Sequence, residues 1–228
     1  MIAIASYNVH GGIGLDRRFA PGRIGQVLAE IGADVVALQE LRSHAGGIDL
    51  LDCLSRETRQ HAVAGPTVTN AAGTFGNGLL SRFPIVSVDH VPLAIAGREP
   101  RSAIDAVLDC DGVRLRVIAT HLGLKRRERA WQASRLIDVV NAGTEMPTVL
   151  LGDVNEWFPH GRVLQALQAH FGKSHSRPTF PSLLPSLALD RIWAAPERIL
   201  REVHVHGSRL ARVASDHLPL VADIRLGS

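Results

Sequence analysis

The chain has 228 residues, 46% of them hydrophobic and 21% charged, with a formal net charge of +3. That balance suits one folded unit with a sizeable core and excludes a globally disordered chain, while the mild positive charge is compatible with a phosphate-bearing partner without requiring one. No apolar run reaches the ~18 residues of a membrane helix, so no stable membrane insertion is expected. Cys53 and Cys110 form neither a Cys-x-x-Cys pair nor a zinc spacing, and they read as free thiols of a reducing compartment. With no basic-then-apolar leader before the first strand, the expected setting is the cytoplasm, and a monomer is assumed.

Residues 2–9 are apolar and β-compatible, and Gly11, Gly12 and Gly14 end the run. Pro21 can open a helix whose apolar face is Ile24, Val27, Leu28 and Ile31, with Gly32 as its cap. Val35-Val36-Ala37-Leu38 reads as a buried strand, and residues 48–59 as a second helix. Residues 78–81, 85–93 and 102–108 read as strands. Asp111-Gly112, ahead of the alternating Val113, Leu115 and Val117, is a hairpin signal. A basic helix over 125–140, a buried strand over 148–151, a helix near 161–169 and a Pro- and Ser-containing loop over 177–185 come next. Strands over 189–193, 201–206 and 218–224 finish the chain. Neither a repeat nor a linker divides it, so residues 1–228 are expected to form a single domain, with sheets covered by helices.

Five strand-like runs end in acids, amides or histidines: Ser6-Tyr7-Asn8-Val9-His10, Ala37-Leu38-Gln39-Glu40, Ala119-Thr120-His121-Leu122, Leu151-Gly152-Asp153-Val154-Asn155 and Ser215-Asp216-His217. Each has an ordinary reading alone. Asn8 could be a turn residue, Glu40 a solvated acid, His121 a satisfied buried ring, Asp153-x-Asn155 a turn, and Asp216-His217 a cap. Five such ends in one chain point instead to a shared site, because a sheet holds side chains rigidly while the loops beyond it leave them open to ligand.

The series Tyr7-Asn8-Val9, Leu38-Gln39-Glu40, Thr120-His121-Leu122, Gly152-Asp153-Val154-Asn155, Leu189-Asp190-Arg191-Ile192 and Ser215-Asp216-His217, in this order, resembles the endonuclease/exonuclease/phosphatase superfamily. That superfamily includes pancreatic-type deoxyribonucleases, abasic-site endonucleases, neutral sphingomyelinases, inositol-polyphosphate 5-phosphatases and deadenylases. The resemblance spans Asn8 to His217 and includes a bacterial branch of undefined substrate, suggested by Thr179-Phe180-Pro181-Ser182. It implies an α/β fold of four layers, in which two packed, mostly antiparallel mixed sheets are flanked by helices. It also implies a divalent-metal-dependent phosphoester hydrolase. The first expectation is a phosphodiesterase acting on nucleic acid or a small phosphodiester by in-line attack of an activated water. Phosphomonoesterases and phospholipase-type hydrolases of the same fold share these motifs.

A phosphodiester resists hydrolysis because its anionic oxygens repel a nucleophile, so the site must neutralise charge, place a water and stabilise the leaving oxygen. The resemblance gives Glu40 as the main ligand of Mg²⁺ or Mn²⁺, with Asn8 beside it and Asp216 in the same zone, a hard-oxygen set. Asp153 is the expected base or orienter of the attacking water, and Asn155 would hold that water or a phosphate oxygen. His121 and His217 would donate to phosphoryl oxygens. Asp190 would keep His217 protonated, and Glu99 could orient His121 in the same way. Arg101, with Arg98 in reserve, and Asn77 are substrate-contact candidates. His10 stands where abasic-site endonucleases carry a metal-binding Asp, which counts against that activity and leaves His10 as a pocket-lining candidate. Lys125-Arg126-Arg127-Glu128-Arg129 is either a phosphate-facing rim or an ordinary charged helix start. Little interleaving of aromatic with basic residues argues against a long single-strand stacking groove. A scaffold that had lost its chemistry would show damage among these positions, and none is damaged.

Overall fold

The computed structural model describes residues 1–44, 46–143, 146–174 and 176–227. The chain opens with β1 (Ile2–Asn8), and Pro21 starts α1 (Pro21–Ile31). Gly32 ends α1 in the left-handed region at φ 61°, where its N–H caps the Leu28 carbonyl. β2 (Val35–His44) precedes α2 (Leu50–Thr58), which is capped by Asp49 accepting from the Asp52 N–H at 3.0 Å. The hairpin of β3 (His61–Asn70) and β4 (Gly73–Ser81) comes next, then β5 (Ile85–Pro92), β6 (Ser102–Cys110) and β7 (Val113–His121). Asp111 and Gly112 turn β6 into β7 with φ of 55° and 89°, the pair of positive angles that an Asp-Gly hairpin turn supplies. The rest is α3 (Arg126–Asn141), β8 (Thr148–Asp153), α4 (Arg162–Phe171), β9 (Asp190–Ala195), β10 (Leu200–Val205), α5 (Ala211–Ala214) and β11 (Leu220–Ile224).

One sheet has the order β10-β11-β1-β2-β4-β3 and the other β5-β6-β7-β8-β9. Among the described residues only the β1–β2 and β7–β8 pairs are parallel, so each sheet is mostly antiparallel with one parallel pair near its middle. The core between the sheets holds Ile4, Val35 and Leu79 from the first and Ile104, Val117, Leu151 and Ile192 from the second. Outside the first sheet, Ile24, Val27, Leu50 and Leu54 of α1 and α2 pack on Tyr7, Val36 and Leu38. Outside the second, Leu136, Leu164 and Phe171 of α3 and α4 pack on Ile118, Leu150 and Trp193. These are the expected four layers. Removing a fully buried side chain such as Leu151 costs about 2–5 kcal/mol in cores of this kind.

β3 was not expected. Its Gly65 and Pro66 are strand breakers in a sheet interior, yet β3 lies at the sheet edge, where a missing N–H is tolerated, and its register shifts between Pro66 and Val68. Cys53 and Cys110 are both free thiols. Among the described residues no helix is long and apolar enough to cross a membrane.

Candidate active site

Side chains alternate faces along a strand, so each strand's inter-sheet stripe continues to its end. On β1 the stripe Ile2, Ile4 and Ser6 ends in Asn8; on β7, Val117 and Ala119 lead to His121. On β8, Val149 and Leu151 lead to Asp153, and on β9, Asp190 precedes Ile192 and Ala194. The polar residues therefore replace apolar core where the sandwich ends. Register aligns them further: His121 pairs with Asp153 and Asp153 with Asp190, while Asn8 lies beside Gln39 in the facing sheet. Glu40 has the wrong parity for this stripe. The β2–β4 register shifts between Leu38 and Leu41, and Glu40 takes φ 60°, which turns its carboxylate to Asn8.

Asp153, only 1% exposed, is the hub. Its Oδ2 accepts from Asn8 Nδ2 at 3.2 Å and lies 3.5 Å from His121 Nε2 and 3.7 Å from His217 Nε2. Its Oδ1 accepts from the Asn155 N–H at 2.9 Å. Asn155, at φ 52°, donates its amide to the Leu122 carbonyl at 2.9 Å and lies 3.1 Å from His121 Nε2.

A second group of acids adjoins this hub. Asn8 Nδ2 also donates to Glu40 Oε1 at 3.2 Å, and Asn8 Oδ1 accepts from the His10 N–H at 3.1 Å. Asp216 Oδ2 meets His10 Nδ1 at 3.1 Å, and the Ser215 hydroxyl holds the Asn8 carbonyl at 2.7 Å. Burial pushes the Glu40 carboxyl above its ordinary range, with Asp216 and Asp153 adding to the rise against the Asn8 hydrogen bond and His10. Oxygen donors repelling one another in a half-buried corner suit a hard cation. Among the described residues no three His, Cys, Asp or Glu side chains form a preformed cage. Mg²⁺ does not need one, since it commonly takes one or two carboxylates and completes its shell with water and substrate oxygens.

The two histidines have opposite partners on the same ring atom. His217 Nδ1 meets Asp190 Oδ2 at 2.8 Å, and that oxygen also accepts from the Thr179 hydroxyl. Burial alone would lower the His217 pKa, but Asp190, by charge and hydrogen bond, with Asp153 and Asp216, raises it to about 10. The Phe180 ring packs on this imidazole at 4.9 Å between centroids. His121 Nδ1 instead meets Arg101 Nη1 at 2.9 Å. Glu99, the candidate orienter of His121, lies on Arg101 at 3.4 Å instead. The sequence offers Arg101 only as a substrate contact; its place immediately before β6, beside the end of β7, emerges only from the strand pairing.

Asn77, on the inter-sheet face of β4, donates to the Ser102 carbonyl at 3.0 Å and ties the sheets together. Arg98 is exposed in a turn, away from these hydrogen bonds. The basic stretch divides: Lys125, Arg126 and Arg127 are exposed, whereas Arg129 is buried on the Leu124 carbonyl at 2.7 Å and Glu156 at 3.3 Å. Sequence reasoning gave no role to Thr179, which it met only as part of a motif, or to Glu156; the structure sets the Thr179 hydroxyl on Asp190 and Glu156 on Arg129. A cavity of about 340 Å³ is lined by Arg42, His44, Phe75 and Glu99; Arg42 stands two residues beyond Glu40 on β2, and Glu99 meets Arg101 at 3.4 Å.

The uncharacterised protein YbhP of Escherichia coli (strain K12) is 28% identical over 244 residues, covering 98% of this chain and 96% of that protein. An endonuclease/exonuclease/phosphatase from Beutenbergia cavernae superposes with a TM-score of 0.80 at 23% identity, over 100% of this chain and 72% of the other. The mannosyl-6-phosphatase of Bacteroides thetaiotaomicron superposes at 0.78 with 17% identity, over 99% and 100%. The family model described as Endonuclease/Exonuclease/phosphatase family matches residues 5–217, from the strand that carries Asn8 to His217 itself, and the chain belongs to that family.

Proposed function

We propose that the chain is a divalent-metal-dependent phosphodiesterase that hydrolyses nucleic acid or a small phosphodiester by in-line attack of an activated water. The observation that carries this reading is the Asp153 hub: one buried carboxylate meeting Asn8, Asn155, His121 and His217 where the inter-sheet core ends. A carboxylate in that setting can orient a water and take its proton. His217, held charged by Asp190, donates from Nε2 to a phosphoryl oxygen. Asn155 and His121 complete the anion-facing side of the site.

Glu40, Asn8 and Asp216 would hold Mg²⁺ or Mn²⁺ through oxygen. Once bound, the ion would supply charge neutralisation of the phosphoryl group and offset the burial and the acid–acid repulsion that raise the Glu40 pKa. His10 meets Asp216 at the mouth of this corner, and the cavity past Arg42 and Phe75 leaves room for the body of the substrate. Exposed Arg98, Lys125, Arg126 and Arg127 can meet further phosphates of a nucleic acid. The alternative is a phosphomonoesterase, favoured by the shared fold with a protein named as a mannosyl-6-phosphatase. Both readings are tested by hydrolysis of a chromogenic bis-aryl phosphate and the matching monoester with Mg²⁺ or Mn²⁺, with and without chelator. Chelator-sensitive diester cleavage is expected. Preference for the monoester supports the alternative, and no metal-dependent activity on any phosphoester rejects both.

A further inference from the structure

The same ring atom, Nδ1, meets a carboxylate in His217 and a guanidinium in His121. An arginine side chain carries only N–H donors, so the Nδ1 it meets must be the acceptor. A neutral imidazole has one acceptor and one donor, which places the single proton of His121 on Nε2. A second proton on Nδ1 would face Arg101 donor against donor. No water can separate them, because His121 is 3% and Arg101 6% exposed. At Nε2 the Asn155 amide, 3.1 Å away, has one N–H on the Leu122 carbonyl and a second that competes for this nitrogen, while Asp153 Oδ2 at 3.5 Å is the acceptor for a proton there; the charged guanidinium, which has no acceptor to offer Nδ1, decides between the two nitrogens. Arg101 is held in turn by Glu99 at Nη2.

We propose that Arg101 is a positioning residue that fixes His121 as the neutral, Nε2–H tautomer, a permanent uncharged donor beside Asp153 in a site whose charged donor is His217. The catalytic meaning of this assignment rests on the hydrolase reading above, whereas the tautomer itself does not. The charges facing His121 are Arg101 before β6, Asp153 on β8 and His217 before β11. Burial is the largest influence and lowers the His121 pKa, Asp153 opposes it, and Arg101 and His217 add to it, giving about 3. The division matters chemically. Two imidazolium rings around one phosphoryl group would hold Asp153 too tightly for it to accept a proton, whereas one charged and one neutral ring stabilise anionic oxygens and leave that carboxylate basic.

The test uses the full chain labelled with ¹⁵N-histidine, with His121 assigned by loss of its signals in His121→Gln. Two-bond ¹H–¹⁵N correlation is expected to show Nε2 protonated and Nδ1 bare, unchanged between about pH 5 and 8. In Arg101→Met, His121 should shift toward mixed tautomers or begin to titrate in that range. That variant should also lose kcat about 10- to 100-fold with little change in KM, as for other residues that orient a functional histidine. Arg101→Lys keeps a donor and should retain the wild-type tautomer with partial activity; it is also the variant to read if the Met substitution does not fold. A wild-type His121 that is protonated on Nδ1 or titrates near neutrality overturns the proposal, as does an unchanged tautomer in Arg101→Met. The expected tautomers in a chain that cleaves no phosphoester support the Arg101 assignment and reject the hydrolase reading.

Discussion

Asn8 Nδ2 donates to Asp153 Oδ2 across 3.2 Å, and through that contact the end of β1 in one sheet meets the end of β8 in the other. The same amide nitrogen reaches Glu40 Oε1, so one side chain couples the acid of the proposed water site to the acid of the proposed metal corner. Asp153→Asn is expected to reduce turnover by about 10²–10⁴-fold, the range for loss of a positioned base, with an unchanged far-UV circular dichroism spectrum. Wild-type turnover in that variant would remove Asp153 from the mechanism.

Glu40→Gln separates metal binding from the water site. The Mg²⁺ concentration for half-maximal activity should rise by tenfold or more, with excess metal restoring part of the rate. Because burial and the neighbouring acids raise the Glu40 pKa, apparent metal affinity in the wild type should also fall as pH drops toward the carboxylate range. Metal titrations at a series of pH values read both effects. A half-saturation point that does not move in Glu40→Gln would exclude Glu40 as a ligand.

Asp190→Asn tests how His217 is charged. Its pKa, about 10 with Asp190 in place, should fall toward the ordinary histidine range once the carboxylate is gone. Turnover at neutral pH should drop, and the alkaline limb of the rate profile should move to lower pH. The sign of the stability effect follows from the raised pKa. In the wild type the Asp190–His217 pair stabilises fully below the unfolded pKa near 6.5 and loses that contribution as pH rises through about 10. A profile identical to wild type would show that another group sets the charge.

Away from the site, Arg116 makes a two-pronged ion pair with Asp105 at 2.8 and 2.6 Å, both side chains 9% exposed, and also donates to the Val139 carbonyl. Asp105→Ala leaves that guanidinium without its carboxylate and should cost about 3–5 kcal/mol, read from the urea midpoint. Replacement of both residues by apolar ones of similar volume should recover much of the loss.

Burial raises the Cys110 thiol to about 12, and the neighbouring Asp111 and Asp109 add to the shift. It should therefore resist thiol reagents at neutral pH in the native protein and react fully once urea unfolds the chain. A colorimetric thiol assay on a Cys53→Ser background measures this directly. Rapid native labelling would mean that the β6 end opens readily.

The order of elements was largely legible, and so were most of the residues that the fold brings together at the candidate site. Alternating apolar residues declare strands, Pro21 and Gly32 bracket a helix, and Asp111-Gly112 demands a hairpin; each of these signals is local and follows from backbone sterics. β3 was hidden because Gly65 and Pro66 are breakers anywhere except at an edge, and edge position belongs to the assembled sheet. By itself the sequence determined which strand ends carry acids, amides and histidines, and so the kind of chemistry they can support. Only the tertiary structure decided who touches whom. Asn8 and Asp153 lie 145 residues apart and meet because two sheets pack face to face. Glu40 reaches them because a shifted register turns it inward. Asp190 and Arg101 settle the opposite states of the two histidines because a buried imidazole takes its proton pattern from the groups that packing sets against its nitrogens, and the charged one on Nδ1 differs in sign between the two rings.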